Sequence, residues 1–235
     1  MEAFYNAFGA ALGLITSADA GLVGVIALSL KVSLSAVFLA VVIGMPLGGL
    51  IALHRFPGRQ VLIVFFNALM GLPPVVVGLV VYVMLSRSGP FGVFNLLYTP
   101  AAMIIAQVIL VLPIIISLTR QTMHSLWLEY RETLQSVAAT PAQCLATVLW
   151  DARFNLVTAV LAGLGRAIAE VGAVMIVGGN IDNITRVMTT AIALEASKGD
   201  LALALGLGLI LLLISMTLNI VGHGVTSLAR TEEAS

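Results

Sequence analysis

Two ionisable residues of opposite charge, Arg166 and Glu170, stand four positions apart in an otherwise apolar stretch of the chain. Residues with this spacing share one face of an α-helix, so the guanidinium and the carboxylate are expected to form an ion pair. Ionisable groups inside a membrane span are costly, and they mark either a functional site or a pair that holds helices together. Both interpretations stay open at this point: the pair either lines a path for a charged solute or only stabilises helix packing.

Other residue patterns that carry chemistry are missing from the sequence. No Gly-x-x-x-x-Gly-Lys-Ser/Thr phosphate-binding loop occurs, so the chain is not expected to hydrolyse ATP by that route. The His, Cys and Asp residues show no metal-binding spacing. We therefore expect no catalytic residue, no metal site and no cofactor on this chain, and we expect that it is not an enzyme.

The composition places the chain in a membrane. Of its 235 residues, 60% are hydrophobic and 9% are charged, whereas a soluble domain carries about 25% charged residues. No Asp, Glu, Lys or Arg lies between Arg59 and Arg87 or between Arg87 and Arg120, and apolar runs of about 18 residues or more predict membrane spans. This pattern excludes a soluble enzyme, the net charge of zero argues against a nucleic-acid-binding protein, and a single cysteine, Cys144, excludes a disulfide scaffold.

The gaps between charges predict a single all-α, polytopic membrane domain over residues 1–235, with about five transmembrane helices. The expected spans are residues 23–53, 61–85, 101–118, 156–177 and 201–221. Residues 1–20 are expected to form an interfacial segment anchored by Phe4, Tyr5 and Phe8. Proline is expected to kink a span at Pro46 and at Pro73 and Pro74, and Pro113 is expected to interrupt the third span. The small-xxx-small pair Gly44 and Gly48 predicts a close helix contact.

Lysine and arginine concentrate in cytoplasmic loops, and this bias sets the orientation of a membrane protein. With the N-terminus outside, the cytoplasmic side receives Arg55, Arg59, Arg120, Arg131, Arg153 and Arg230. The external side receives Arg87, Arg186 and Lys198. The sequence therefore predicts an external N-terminus and a cytoplasmic C-terminus.

Two connections between the predicted spans are too long for simple turns. Residues 119–155 are expected in the cytoplasm, with one helix ending near Ala139 and the next capped by Thr140 and begun by Pro141. Residues 178–200 are expected outside, with helical spacing over residues 187–197. Each connection fits either a docking surface or a helix without a partner. The polar residues Asn67, Gln107, Asn155 and Asn219, in or near spans, either face a path or bond a neighbouring helix.

Two segments of the sequence resemble a known family. Residues 132–141, ETLQSVAATP, resemble the coupling (EAA) loop of ATP-binding-cassette importer membrane subunits, with Glu132 at the family's glutamate and Ala138 where glycine is usual. Residues 165–181, GRAIAEVGAVMIVGGNI, resemble the fourth span of oxyanion-importer permeases for molybdate, tungstate and sulfate. Val171 and residues 185–191, TRVMTTA, look most like the tungstate branch, and the double proline in residues 72–78, LPPVVVG, is similar to these permeases too.

The resemblance implies a type I importer permease fold and the import of an oxyanion, most like tungstate, with molybdate or sulfate as alternatives. The implied partners are a second copy of the chain, two ATP-binding cassette subunits that bind ATP and Mg²⁺, an external substrate-binding protein and the lipid bilayer of the cell membrane, but no nucleic acid. A stand-alone secondary transporter or channel is the more remote alternative.

The resemblance also implies where the functional residues lie. Contact with the ATPase is expected from Glu132, Ala138, Ala139, Thr140, Pro141 and Leu145. The translocation path is expected at Arg166, Glu170, Gly172, Pro73 and Pro74. Contact with the binding protein is expected from Asn180, Arg186, Glu195 and Lys198.

Overall fold

The computed structural model describes residues 20–233, together with Gly9 and Gly13. The predicted interfacial segment at residues 1–20 lies outside these residues, apart from Ala20 and the two glycines. The described chain is all-α, as predicted. Its helices are α1 (Ala20–Leu53), α2 (Arg59–Leu69), α3 (Pro74–Leu85), α4 (Pro100–Ser136), α5 (Pro141–Asp151), α6 (Arg153–Ile168), α7 (Gly172–Gly178), α8 (Met188–Lys198) and α9 (Leu201–Glu233), with a 3₁₀ turn at Gly92–Phe94.

Three helices, α1, α4 and α9, are long and apolar enough to cross a membrane by themselves. Two bent pairs pass the same test, α2 with α3 and α5 with α6, so the described chain offers three spans, or up to 5 if each bent pair is one span. The expected interruption at Pro113 is wrong, because α4 runs through this residue and continues to Ser136, well beyond the predicted end at residue 118.

The span predicted at residues 61–85 is broken into α2 and α3, which are bent by 101° and pass the span test only as a pair. Neither Pro73 nor Pro74 has an N–H to donate to a preceding turn. The end of α2 closes instead with short-range bonds, from the N–H of Met70 to the carbonyl of Asn67 and from the N–H of Gly71 to the carbonyl of Ala68. Pro74 then starts α3, at the position where a proline needs no partner. The double proline separates two helices instead of kinking one.

The predicted span at residues 156–177 is likewise divided. Helix α6 ends at Ile168 and α7 begins at Gly172, and we call residues 169–171 the α6–α7 break. Helix α6 has 16 residues, or about 24 Å at 1.5 Å per residue. The hydrocarbon core of a bilayer is about 30 Å thick, so α6 alone is too short to span it.

Small residues let the helices approach closely. A Cβ atom at Gly48 in α1 would lie 2.7 Å from the carbonyl oxygen of Ile116 in α4, and one at Gly44 would lie 2.9 Å from Ile115 Cγ2. The predicted close contact at this glycine pair is therefore confirmed. Gly78 in α3 likewise allows a close approach to α7, since a Cβ atom at this position would lie 2.7 Å from the Cα of Ala173.

The apolar core lies between these helices. At one end of α4 it includes Met103 and Val174, and at the other end Met123 and Val148. Many large apolar side chains of the outer helix faces are exposed, including Phe38, Val61, Val76 and Leu213. Exposed apolar faces of this extent are expected where a protein meets lipid or another subunit.

Candidate functional site

Glu170 lies in the α6–α7 break, and its side chain is only 2% exposed. Its Oε2 accepts a hydrogen bond from Arg166 Nη1 at 3.0 Å, which makes an ion pair. Its Oε1 accepts a hydrogen bond from the backbone N–H of Ala173, in the first turn of α7, at 3.0 Å. The carboxylate therefore bridges the end of α6 and the start of α7.

The ion pair expected from the spacing of Arg166 and Glu170 is present, but the expected geometry is wrong. The two side chains do not share a helix face, because α6 ends at Ile168 and Glu170 follows that end. Arg166 keeps 28% of its side chain exposed, whereas Glu170 is enclosed. The pair thus has an open cationic side and a buried anionic side.

Polar side chains from two other helices satisfy the backbone at the break. Thr189 Oγ1 in α8 donates to the carbonyl oxygen of Glu170 at 2.8 Å. Gln107 Nε2 in α4 donates to the carbonyl oxygen of Ala167 at 3.1 Å. The last carbonyls of a helix lack partners within the helix, and burying them unpaired costs about 1–3 kcal/mol each. These two side chains therefore stabilise a helix end inside an apolar interior.

The two helix breaks are neighbours in space. A Cβ at Gly172 would lie 2.8 Å from Val75 Cγ2, in the first turn of α3. Pro73 and Pro74 form the start of that same helix. The structure thus brings together the five residues predicted for the translocation path, and we call them the paired-break site: Arg166, Glu170, Gly172, Pro73 and Pro74.

A small cavity adjoins the break on the side of α1, α8 and α9. Its lining includes Ser33, Gln107, Glu170 and Thr189, and its volume is about 20 Å³. A space of that size accommodates about one water molecule. As it stands in this structure, that space is too small for a tetrahedral oxyanion.

The connection between α4 and α5 forms a sharp turn. Ala138 has a φ of 51°, a left-handed conformation that favours glycine, and glycine is the residue usual at this position of the coupling loop. Thr140 caps α5 by accepting a hydrogen bond from the N–H of Gln143, whose Oε1 accepts from the N–H of Thr140 at 2.8 Å. The predicted helix boundary near Ala139 and Thr140 is confirmed.

Helix α5 has an inner face and an outer face. Cys144 and Val148 are buried, and Leu145 and Ala139 pack partly against the same cluster. Leu145 therefore faces its own fold, which leaves little of it for a partner. The exposed residues around the turn form a surface that we call the α5 outer surface: Glu132, Val137, Ala138, Thr140, Pro141, Ala142, Ala146 and Trp150. The sequence analysis missed Val137 and Trp150, each 68% exposed; their signal was a large apolar residue in a connection rich in polar residues.

The connection at residues 178–200 is tied to the rest of the chain. Thr185 Oγ1 donates to the carbonyl oxygen of Gly178 and accepts from the N–H of Ile181. Helix α8, close to the predicted residues 187–197, buries its first turn against α1 and α9. The N–H of Met188 donates to Ser29 Oγ at 2.8 Å. One side of this connection is therefore structural.

The four residues predicted for binding-protein contact differ in exposure. Asn180 is half-buried, and its Nδ2 donates to the carbonyl oxygen of Thr190 at 3.5 Å. Arg186 pairs with Asp182 at 2.8 Å, and Lys198 pairs with Glu195 at 2.8 Å. Lys198 has the most exposed charged side chain of the set, at 54%. Among the described residues, no group of three or more His, Cys, Asp or Glu side chains has the arrangement of a metal site.

Comparison with known proteins gives concordant matches. The family model described as "Binding-protein-dependent transport system inner membrane component" matches residues 44–229. A probable anion ABC transporter permease protein of Haloferax volcanii is 43% identical over 206 residues, covering 86% of this chain and 89% of the relative. A tungstate uptake system permease protein of Peptoclostridium acidaminophilum is 41% identical over 221 residues, covering 94% of this chain and 97% of the relative. A tungstate uptake system permease protein of Campylobacter jejuni is 36% identical over 223 residues, covering 95% and 93%.

The substitution Glu170→Gln should lower the stability of the folded protein by about 1–3 kcal/mol, because it removes a charge-assisted hydrogen bond from an enclosed site. An amide still accepts from the N–H of Ala173, but its NH₂ group or its single oxygen cannot satisfy both partners. Asp182→Asn is the matched control, because Asp182 and Arg186 have the same spacing and Asp182 is exposed; a change within about 1 kcal/mol is expected there. Thermal unfolding of the purified protein in detergent measures the stability of both variants. An equal loss of stability in Glu170→Gln and Asp182→Asn would contradict the central role of Glu170.

Proposed function

The chain belongs to the family of binding-protein-dependent transport system inner membrane components, and from this premise we propose that it is the permease subunit of an ATP-binding-cassette importer that moves tungstate into the cytoplasm. The observation that carries the proposal is the sequence identity of 41% and 36% to two tungstate uptake permeases, over 94% and 95% of the chain. The match to the family model, over residues 44–229, includes the paired-break site and both long connections. Molybdate and sulfate are the related cargoes that an uptake measurement must compare with tungstate.

We propose that two copies of the chain form the path. The cavity beside the α6–α7 break is too small for an oxyanion in this structure, and we place the route of the solute along the surface of the chain, where a second copy encloses it. The paired-break site suits the wall of that route because the guanidinium of Arg166 is partly exposed. The exposed apolar faces of α2 and α3 offer area for contact with lipid or the second copy.

The charge balance of the paired-break site supports passage rather than tight binding. Arg166 alone would hold a dianion, and Glu170 alone would repel one. Side by side their charges nearly cancel, while the guanidinium still offers hydrogen-bond donors. A wall of this kind stabilises a passing oxyanion weakly, so the oxyanion is not bound so tightly that it cannot leave.

We propose an external N-terminus and a cytoplasmic C-terminus, with the α5 outer surface in the cytoplasm. Helix α4 has 37 residues, about 55 Å at 1.5 Å per residue, against a hydrocarbon core of about 30 Å. Its last turns, which carry Glu132, therefore project beyond the membrane. The exposed Val137 and Trp150 beside them provide an apolar docking surface for an ATP-binding cassette subunit, which binds the ATP and Mg²⁺.

We propose that the exposed side of residues 178–200 meets the external binding protein. The buried side of α8 contacts Glu170 through Thr189, so a contact outside can influence the α6–α7 break through one hydrogen bond. Charged residues on the exposed side, such as Lys198, lie at a surface that a soluble partner can reach.

Transport by the reconstituted importer tests the function. The permease, its ATPase and its binding protein are placed in proteoliposomes, and the tungstate taken up is measured by elemental mass spectrometry. Uptake should require both ATP and the binding protein. An excess of sulfate should reduce the uptake of tungstate only slightly. Preferential uptake of molybdate or sulfate would replace tungstate as the cargo, and uptake that persists without ATP would contradict an importer.

Val137→Asp should weaken the association with the ATPase by about tenfold or more, because it places an unpaired carboxylate in an apolar contact. Val93→Asp is the matched control, since Val93 is 88% exposed and lies in the 3₁₀ turn before the opposite end of α4. Copurification of the ATPase with each tagged variant gives the comparison. Full copurification of the ATPase with the Val137→Asp variant would show that the α5 outer surface does not contact the ATPase at Val137.

Lys198→Glu should reduce stimulation of ATP hydrolysis by the binding protein, most clearly at low salt, because charges at the rim of a contact act mainly on the association rate. Arg87→Glu, also predicted to be external, serves as the control on another connection. Hydrolysis by the complete importer is measured at increasing concentrations of loaded binding protein. Unchanged stimulation in Lys198→Glu would leave this connection with a structural role alone.

A further inference from the structure

Helix α4 carries a row of polar side chains that the paired-break site does not use. Ser117, Arg120 and His124 follow one another at helical spacing, so they lie along one face. Ser117 Oγ, Arg120 Nε and His124 Nδ1 are enclosed atoms without a hydrogen-bond partner among the described residues. Ser117 is only 7% exposed. Buried polar atoms are nearly always paired in folded proteins, with protein, water or a ligand, so this row needs partners from outside the described residues.

Two members of the row, Ser117 and Arg120, reach a crevice between α2 and α4, whose other lining residues are Asn67 from α2 and the apolar Ile51, Ile63, Phe66 and Ile116. Arg59, at the start of α2, is close enough to Arg120 for their like charges to repel. The Arg59 guanidinium is itself engaged, since it donates to the carbonyl oxygens of Ile51 at 2.7 Å and Ala52 at 3.2 Å.

The positive charge of Arg120 has no acidic partner in the described part of the chain. The ion pairs found there join Arg166 to Glu170, Arg186 to Asp182 and Lys198 to Glu195. A cation that is half-buried, repelled by a neighbouring cation and flanked by an unpaired hydroxyl favours an anion. A cationic solute is disfavoured by the same charges.

We propose that this crevice is a second oxyanion site, in which the Arg120 guanidinium, the Ser117 hydroxyl and the Asn67 amide donate hydrogen bonds to one tetrahedral oxyanion. The planar guanidinium suits two oxygens of such an anion, and Arg59 adds positive potential. The inference rests on the proposed function and deepens it, because the cargo supplies one source of the oxyanion. The phosphate of an anionic lipid has the same chemistry and is the other source.

The position of the crevice fits a site that cargo meets late in transport. Arg120 lies 20 residues beyond the start of α4, about 30 Å along the helix, and therefore towards the end that carries the α5 outer surface. The crevice holds about 10 Å³ of free space, so an oxyanion enters only when α2 moves away from α4. The bend of 101° between α2 and α3 provides a joint for that movement.

Direct binding to the complete importer, without its binding protein, tests the site. Equilibrium dialysis against sodium tungstate, followed by elemental mass spectrometry, measures bound tungsten. Arg120→Met should lower the affinity by about tenfold or more, and Ser117→Ala by a few-fold, as expected for one charged and one neutral hydrogen bond. Arg131→Met is the matched control, because Arg131 is an exposed arginine of the same helix outside the crevice; its affinity should equal that of the wild type.

The variant Asn67→Asp distinguishes a loss of tungstate binding from a loss of folding. It supplies Arg120 with a carboxylate of nearly the same shape, so thermal stability should be kept or raised while tungstate binding falls at least as far as in Arg120→Met. Unchanged tungstate binding in both Asn67→Asp and Arg120→Met overturns the site for the cargo. Native mass spectrometry of the detergent-extracted importer covers the lipid source: phosphatidylglycerol kept by the wild type and lost in both variants assigns the oxyanion to a lipid. Loss of neither ligand overturns the proposal altogether.

The outcome is separable from the proposed function. Uptake of tungstate by the wild-type importer in proteoliposomes supports the function whether or not Arg120 binds it. Binding that depends on Arg120 in an importer that takes up no tungstate supports the site and contradicts the function.

Discussion

A carboxylate enclosed in an apolar interior must be paired, and in this chain the pairing of Glu170 determines how two helices are joined. Its two oxygens accept from Arg166, in the last turn of α6, and from the N–H of Ala173, in the first turn of α7. Removing one partner of such a buried pair leaves an uncompensated charge, which is far more costly than replacing both. The Glu170 carboxylate therefore joins α6 to α7 and stabilises the break between them.

The surrounding structure follows from that break. Because α6 ends inside the protein, Gln107 donates to the carbonyl of Ala167 and Thr189 to the carbonyl of Glu170, which ties α4 and α8 to the same point. Because α7 starts with Gly172, the first turn of α3 can approach it closely. Two helix breaks thus meet at a nearly neutral ion pair with one exposed side. That combination is the basis for the proposal that this site forms part of the wall of an anion path.

Much of this arrangement could be predicted from the sequence, because local chemistry determines it. The charge-free runs indicated apolar helices, the glycine pair Gly44 and Gly48 indicated a close contact, and Thr140 before Pro141 indicated a helix start. Each of these signals depends on residues that are neighbours along the chain. The left-handed conformation of Ala138 also accounts physically for the glycine usual at that position of the coupling loop.

The helix breaks could be predicted only in part: the prolines indicated a kink near Pro73, but not two separate helices, and the break at residues 169–171 was not predicted. Hydropathy is continuous through Pro73, and the helical spacing of Arg166 and Glu170 favoured one helix through residues 169–171, so the local pattern did not reveal two helices in either place. A break becomes stable only when distant side chains satisfy its backbone, and Thr189 is 19 positions from Glu170. The inward orientation of Leu145 has the same origin, since it depends on packing against α1 and α4 and not on the local pattern.

Transport by the double variant Arg166→Met with Glu170→Leu is the most direct measurement of the central claim. Replacing both members of a buried ion pair by apolar residues of similar size is often neutral for stability, so this variant separates a structural pair from a functional one. Proteoliposomes that contain the assembled importer are assayed for tungstate uptake driven by ATP. We predict that the variant assembles with its ATPase and transports poorly, because the proposed path has lost the guanidinium and the carboxylate at the break. Normal uptake by the well-assembled variant would contradict this account and leave the pair with a packing role alone.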